Sequence, residues 1–326
     1  MGLTGAILGD IAGSLFEFKG DDWDEFLKTD YDLFFDNKTK RAPFTDDTVL
    51  SLAIKNAILT DFNFIRAYKS FACKNRFAGY GGKFACWMNE RNPKPYYSWG
   101  NGSAMRASFC GEVASSLEDA ENLGIRSAAV THNHPEGLKG AKVLAGCVFM
   151  AENSYTKDQI LEYGIKHYPN TYPNCPDKPL SEYDDTTLRH FDVSCQGSVP
   201  MAIRIFYEFD DFTKMMRWIN RQGIDTDTIG AIAGAIFHSY YHKCIDPETD
   251  DKVICDRLKG NELLMNTYRM EYDKKEIADK IRSHLKENPL SIEEPIEPPS
   301  EIRVGWSCGN TADKPKNFLP KKLFRR

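Results

Sequence analysis

Asp225-Thr226-Asp227-Thr228-Ile229-Gly230-Ala231-Ile232-Ala233-Gly234-Ala235-Ile236-Phe237-His238-Ser239-Tyr240-Tyr241 is the stretch on which the reading of this chain turns. Its apolar run, Ile229 to Tyr241, is predicted to be a helix. Gly230 and Gly234 fall four residues apart, so both lie on one face. That face is a smooth strip which a second helix backbone can approach closely, and it puts this helix at the centre of the fold. Two other runs read the same way. Val49, Leu50, Ala53, Ile54, Ala57 and Ile58 form one apolar face, and Leu138 to Ala151 predicts a further helix. Alternating strand patterns and Asn-Gly hairpins with flanking strands are scarce. The fold class expected is therefore all-α.

The four residues ahead of the central run match a second cluster, Thr45-Asp46-Asp47-Thr48, which opens the helix over 49–58. Asp and Thr are ordinary helix N-caps, and acids at a helix start are favoured by the helix dipole. Capping alone does not account for both clusters. Adjacent Asp46 and Asp47 cannot both serve one cap, and Asp225 and Asp227 repel each other unless a cation lies between them. Together the clusters offer four carboxylates and several hydroxyls, all hard oxygen donors. That set suits Mg²⁺ or Mn²⁺ and is large enough for two ions.

With 326 residues, the chain has room for one large domain or two ordinary ones. A hydrophobic content of 41% and a charged content of 27% describe a soluble globular protein. The net charge of -5 argues against a general nucleic-acid binder. No apolar run approaches the roughly 18 residues needed to span a bilayer. The N-terminus lacks a basic n-region, so no secretory signal is expected. Nine cysteines without a CxxC pair, several in apolar runs, read as reduced thiols of a cytoplasmic protein rather than a zinc site.

The body is expected to cover residues 1–286. From Glu287 to Glu301 come five acids, four prolines and no basic residue, which reads as a semi-extended linker over 287–301. Residues 302–326 carry seven Lys/Arg against Asp313 alone and read as a basic tail, either solvated or contacting an acidic partner.

Four more segments stand out. Gly9-Asp10 leads through to Glu17. Ser98-Trp99-Gly100-Asn101-Gly102 is a turn whose small residues bare backbone N–H groups suited to a pyrophosphate. Trp99 beside it could stack on a base or ribose, or could be core. Thr131-His132-Asn133-His134 holds two histidines with no third partner at zinc spacing, so a hydrogen-bonding role is expected for both. Phe191 to Pro200 is a polar stretch rich in small residues.

In this order these motifs resemble the ADP-ribosylglycohydrolases. Gly9-Asp10 to Glu17, Thr45-Asp46-Asp47-Thr48, Gly100-Asn101-Gly102 with Met105-Arg106, Thr131-His132 and Asp225-Thr226-Asp227-Thr228 carry the resemblance, over about residues 3 to 243. It implies an all-α, compact orthogonal multi-helix bundle. It also implies a dinuclear Mg²⁺ or Mn²⁺ site held by Thr45, Asp46, Asp47, Asp225, Asp227 and Thr228. Glu17 and Asp47 become the catalytic candidates. Ser98, Trp99, Gly100, Asn101 and Gly102 become the loop on the ADP-ribose diphosphate and ribose, and His132 a neighbour of the distal ribose. One departure stands at Gly223-Ile224, where the family pattern has Gly-Gly, and it touches the local turn rather than the ligands.

The activity implied is hydrolysis of an N- or O-glycosidic bond at the distal ribose of an ADP-ribosylated protein or other ADP-ribose conjugate, nucleic-acid conjugates included. The enzyme is expected to act as a monomer, away from membranes. A different class, a non-catalytic ADP-ribose binder or structural relative, is separated from this by metal-dependent turnover. A haloacid-dehalogenase-type phosphatase, suggested by Asp225-Thr226-Asp227-Thr228, requires a buried strand before its nucleophilic Asp. Asn220-Arg221-Gln222-Gly223-Ile224 is not one.

Overall fold

The helix expected over 229–241 forms and extends one turn further back, as Thr226–Tyr241. It belongs to a computed structural model that describes residues 1–17, 31–34, 42–169, 179–182, 192–242 and 247–290. Fourteen α-helices make up the described residues. They are α1 (Gly2–Gly13), α2 (Asp46–Thr60), α3 (Phe64–Lys74), α4 (Gly82–Trp87), α5 (Ser108–Val113), α6 (Leu117–Ala129) and α7 (Pro135–Glu152). Then follow α8 (Lys157–His167), α9 (Cys195–Glu208), α10 (Phe212–Gln222), α11 (Thr226–Tyr241), α12 (Pro247–Leu258), α13 (Glu262–Tyr268) and α14 (Lys274–Glu287). No strand occurs among the described residues, where Gly100 and Ser194 form one isolated bridge.

Helices buried all round form the centre, as a helix without a polar face must. In α11 every residue from Thr226 to Ser239 is buried, and in α1 every residue but Thr4 is. The outer helices are amphipathic. In α10, for example, Phe212, Met215, Met216 and Ile219 face inward between Lys214, Arg217 and Arg221.

The strip on α11 meets a matching one. Gly5, Gly9 and Gly13 of α1 pair with Gly234, Gly230 and Thr226, which sets the two helices antiparallel at backbone contact. A methyl group at Gly9 would lie 2.0 Å from the Gly230 carbonyl oxygen, and one at Gly5 2.2 Å from that of Gly234. Backbone cannot step aside as a side-chain tip can. Gly9→Ala is therefore expected to destabilise the fold by about 3 kcal/mol, read as a lowered denaturant midpoint at unchanged m-value. An unchanged midpoint would contradict this packing.

The antiparallel pairing brings the C-terminus of α1 to the N-terminus of α11. The N-terminus of α2 arrives at the same place, because Asp10 on α1 accepts the backbone N–H of Thr45 at 2.9 Å and of Thr48 at 3.1 Å. At Gly223-Ile224 the turn before α11 is made by Gly223 in the left-handed region, φ 68°, where glycine carries no Cβ penalty. Ile224 fills the core instead of a second glycine.

Residues 1–292 form one packed unit. α14 ends at Glu287. The expected linker from residue 291 onward, and all of the basic tail, lie outside the described residues.

Candidate active site

Both acidic clusters sit at helix starts, and only one of them caps. Thr45 is the N-cap of α2, its hydroxyl accepting from the Asp47 N–H. Asp225 occupies the N-cap position of α11 without making a side-chain cap bond. Its carboxylate instead accepts from Asn101 Nδ2 at 2.7 Å.

The two helix starts and the end of α1 bring their acids together. Asp10, Asp47 and Asp227 offer oxygens that all lie within 4.8 Å of one another, and so do Glu17, Asp225 and Asp227. Asp227 belongs to both groups. Asp46 is half-buried at the rim, while Asp10, Asp47, Asp225 and Asp227 are buried. Among the described residues none of these five aspartates forms an ion pair with lysine or arginine.

So much buried like charge holds protons to unusually high pH. Burial pushes Asp10 up to about 6 against four hydrogen bonds that oppose it. Burial also pushes Asp225 up to about 6. Burial, then repulsion from Asp227 and Asp10, pushes Asp46 up to about 8. Asp47 and Asp227 lie well above the usual carboxylate range, through burial first and neighbouring carboxylates second.

The donor set fits divalent cations. Asp47 Oδ1 is buried with no hydrogen-bond partner among the described residues, an acceptor left unsatisfied there. Asp47 Oδ2 lies 3.1 Å from Thr45 Oγ1 and 3.4 Å from Thr228 Oγ1, so the two hydroxyls named by sequence converge on it. Hard oxygens in two groups with one shared carboxylate suit a hard divalent cation.

Asp10 was quoted in a motif but given no role by sequence. Its carboxylate accepts from Thr45 N, Thr48 N and Thr48 Oγ1 at Oδ2 but from Thr45 Oγ1 alone at Oδ1, so among the described residues one Oδ1 lone pair is left over. Asp10 thus fixes the start of α2 and still offers an oxygen to the group it forms with Asp47 and Asp227. The available signal was a lone acid inside the Gly- and Ala-rich apolar run from Leu3 to Gly13.

The loop from Ser98 to Gly102 borders the acids. It is pinned from the segment ahead of α9. Asn101 N donates to Val193 O at 2.8 Å and Cys195 N to Trp99 O at 2.9 Å. Ser98 Oγ accepts from Gly100 N at 3.1 Å. Asn101 Nδ2 also donates to Ser198 Oγ at 2.8 Å, so its side chain ties the loop to Asp225. Val193, Cys195 and Ser198, from the polar stretch singled out in the sequence, make this clamp. Trp99 is 39% exposed, with its ring edge-to-face with His134 at 5.4 Å and Lys83 Nζ over the ring, 5.9 Å from its centroid. His134 caps α7 through Nδ1, which accepts from Glu136 N at 3.0 Å. Tyr97, just before the loop, is held at φ 51°, a strained conformation of the kind that collects at functional sites.

His132 is buried beside this loop, with Nε2 facing Gly100 and Gly102. A methyl group at Gly102 would lie 3.5 Å from that nitrogen, and one at Gly100 3.7 Å. Burial, then the charges of Arg106 and Lys83, holds His132 well below the usual histidine range, so its imidazole is neutral.

Glu17, Asp225 and Asp227 thus lie together, Asp47 lies beside Thr45 and Thr228, and Asn101 joins the loop to Asp225. The family profile of the ADP-ribosylglycohydrolases matches residues 1–254. The ADP-ribosylhydrolase ARH3 of Bos taurus is 25% identical over 308 aligned residues, which cover 73% of this chain and 83% of that protein. The Homo sapiens ARH3 is 24% identical, covering 83% and 93%. A putative ADP-ribosyl glycohydrolase, L543, of Acanthamoeba polyphaga mimivirus is 26% identical, covering 77% and 89%. Among solved structures, one titled "ADP-ribosylglycohydrolase-related protein complex" shares the fold at a TM-score of 0.59 and 20% identity, covering 83% of this chain and 98% of its own.

Proposed function

The chain belongs to the ADP-ribosylglycohydrolase family, and from that premise we propose that it is a divalent-cation-dependent hydrolase releasing ADP-ribose from a modified acceptor, most favourably a protein side chain. The observation that carries this reading is the pair of carboxylate groups sharing Asp227 beside the pinned Ser98–Gly102 loop. A binder that had lost its chemistry would have no use for an acceptor such as Asp47 Oδ1, buried and left without a donor among the described residues.

Thr45, Asp46, Asp47, Asp225, Asp227 and Thr228 would hold two Mg²⁺ (or Mn²⁺) ions. When bound, those ions neutralise the acids and orient the hydroxyls of the distal ribose. The chain's own groups do the rest. The backbone of Ser98, Gly100 and Gly102 binds the diphosphate and ribose, and Trp99 offers its ring to the base. Remote binding of this kind holds the reacting ring in place. Asn101 keeps Asp225 oriented. Glu17 or Asp47 takes a proton from the attacking water as its oxygen bonds to the anomeric carbon. The bond from that carbon to the acceptor nitrogen or oxygen breaks through an oxocarbenium-like transition state, and the acceptor leaves with a proton.

A cytoplasmic location is supported by six described cysteines that are all free thiols. No described helix is long and apolar enough to cross a membrane.

The test is release of free ADP-ribose from arginine-, serine- and nucleic-acid-linked conjugates with Mg²⁺, with Mn²⁺ and with chelator. Metal-dependent release from one class is expected, and it names the linkage. The acidic body slightly favours a cationic leaving group such as arginine. Tight ADP-ribose binding with no release from any conjugate would replace the hydrolase by a binding module.

A further inference from the structure

Arg106 is the largest charged side chain that the site has not yet absorbed. It is fully buried in the chain segment after the Ser98–Gly102 loop, with its guanidinium 4.2 Å from the Tyr68 ring centroid. Among the described residues its one hydrogen bond of standard geometry runs from Nη2 to Thr131 Oγ1 at 2.7 Å, while Nε and Nη1 have no partner there. A buried cation with a single short bond needs a reason to be there.

The reason lies one atom further on. Thr131 Oγ1 is 2.8 Å from His132 Nδ1 and 3.2 Å from Ala128 O. A hydroxyl has one proton and two lone pairs. The Arg106 N–H occupies one lone pair and polarises the O–H, making it a stronger donor and a weaker acceptor. With the O–H directed to Nδ1, the imidazole turns a lone pair toward the guanidinium. With Nδ1–H directed to the hydroxyl, both lone pairs would be filled and the O–H would turn to the longer 3.2 Å contact with Ala128 O, leaving a positive N–H facing the guanidinium. The first arrangement is the favourable one.

We infer that Arg106 and Thr131 form a positioning relay that locks His132 as its Nε2–H tautomer, presenting one N–H donor in the gap framed by Gly100 and Gly102 to an oxygen of ADP-ribose. The inference rests on the proposed substrate. It deepens that reading, because the site then tells a ligand with an acceptor oxygen there from one without it. His132 Nε2 has no hydrogen-bond partner among the described residues, so the donor is free for a ligand. A Cβ on Gly102 or Gly100 would lie in ordinary contact with Nε2, 3.5 and 3.7 Å away, so both residues border the nitrogen directly.

The tautomer can be read directly from the full chain. Long-range ¹H–¹⁵N correlation spectra of ¹⁵N-histidine-labelled protein separate the two neutral forms, and the His132→Asn variant assigns the signal among the seven histidines. The Nε2–H pattern is expected in wild type and in Thr131→Ser. Saturating ADP-ribose should then shift the Nε2 resonance. In Thr131→Val the single pattern should be lost, KM should rise about tenfold and kcat should stay within about twofold. An Nδ1–H pattern in wild type overturns the inference, as does ADP-ribose binding that leaves Nε2 unmoved. Should Thr131→Val fail to fold, the wild-type and Thr131→Ser spectra decide alone. Absence of any ADP-ribose binding or release, with Nε2–H present, overturns the substrate reading and leaves the tautomer lock standing.

Discussion

Asp227→Ala is expected to lower kcat about a thousandfold or more while the protein stays folded. Asp227 is the one side chain in both carboxylate groups, so its loss opens both at once. A thousandfold corresponds to about 4 kcal/mol of transition-state stabilisation, within what ordered divalent cations contribute. Its effect on the metal-free fold has the opposite sign. Asp227 is buried, raises the proton affinity of Asp46 and Asp47, and makes no ion pair with lysine or arginine among the described residues. Removing it relieves repulsion, so the thermal midpoint in chelator should hold or rise. Activity assays, circular dichroism and Mn²⁺ titration on one preparation separate these effects. Near wild-type turnover with Mg²⁺ would end the metal-dependent reading, and a collapsed midpoint would make Asp227 a structural residue.

Metal-stripped protein should lose stability as pH rises, the reverse of ordinary acid denaturation. Asp10 and Asp225 rise from an ordinary 3.8 to about 6 in the folded chain, and Asp46 to about 8. A carboxyl group that keeps its proton to higher pH when folded adds stability below its unfolded value. That contribution disappears as pH climbs through the folded value. The loss should therefore run from about pH 4 to about pH 8. Asp10 and Asp225 alone, shifted by about two units each, account for up to about 6 kcal/mol, reduced in practice by their coupling. Adding Mg²⁺ or Mn²⁺ at pH 8 should recover it, by roughly 3 kcal/mol at a hundred times the dissociation constant. Denaturant midpoints in chelator at pH 5 and pH 8, then with metal at pH 8, check the sign. A midpoint that rises with pH in chelator would remove the electrostatic account of the cluster.

The parts of this fold that sequence exposes are those whose signal is local and periodic. The helix expected over 138–151 is Pro135–Glu152, and the face from Val49 to Ile58 lies in Asp46–Thr60. Helices of six or seven residues such as α4, α5 and α13 have too few turns for a period to register. The Gly230/Gly234 strip was legible, yet its partner strip in α1 was not read as a helix face, although Gly5, Gly9 and Gly13 carry the same spacing.

The site divides along a similar line. Clustered acids announce themselves, whereas residues acting through others do not. Asn101 reads locally as half of an Asn-Gly turn, and its bond to Asp225 spans 124 residues. Asp10 looks like one stray charge until the start of α2 is laid against it. Arg106 and Thr131 carry no chemistry of their own, and only their distances to His132 give them a part.

The contact between α1 and α11 also governs which changes in chain length this protein can survive. Because Gly5, Gly9 and Gly13 meet Gly234, Gly230 and Thr226 in strict register, one residue added within either helix would rotate everything beyond it by about 100°. Added between Gly9 and Gly13 in α1, or between Asp227 and Gly230 in α11, it would swing one set of acids away from the other. Insertions and deletions among natural variants should be absent from 5–13 and 226–234, a pattern of length intolerance dictated by helix geometry rather than by the chemistry of any side chain.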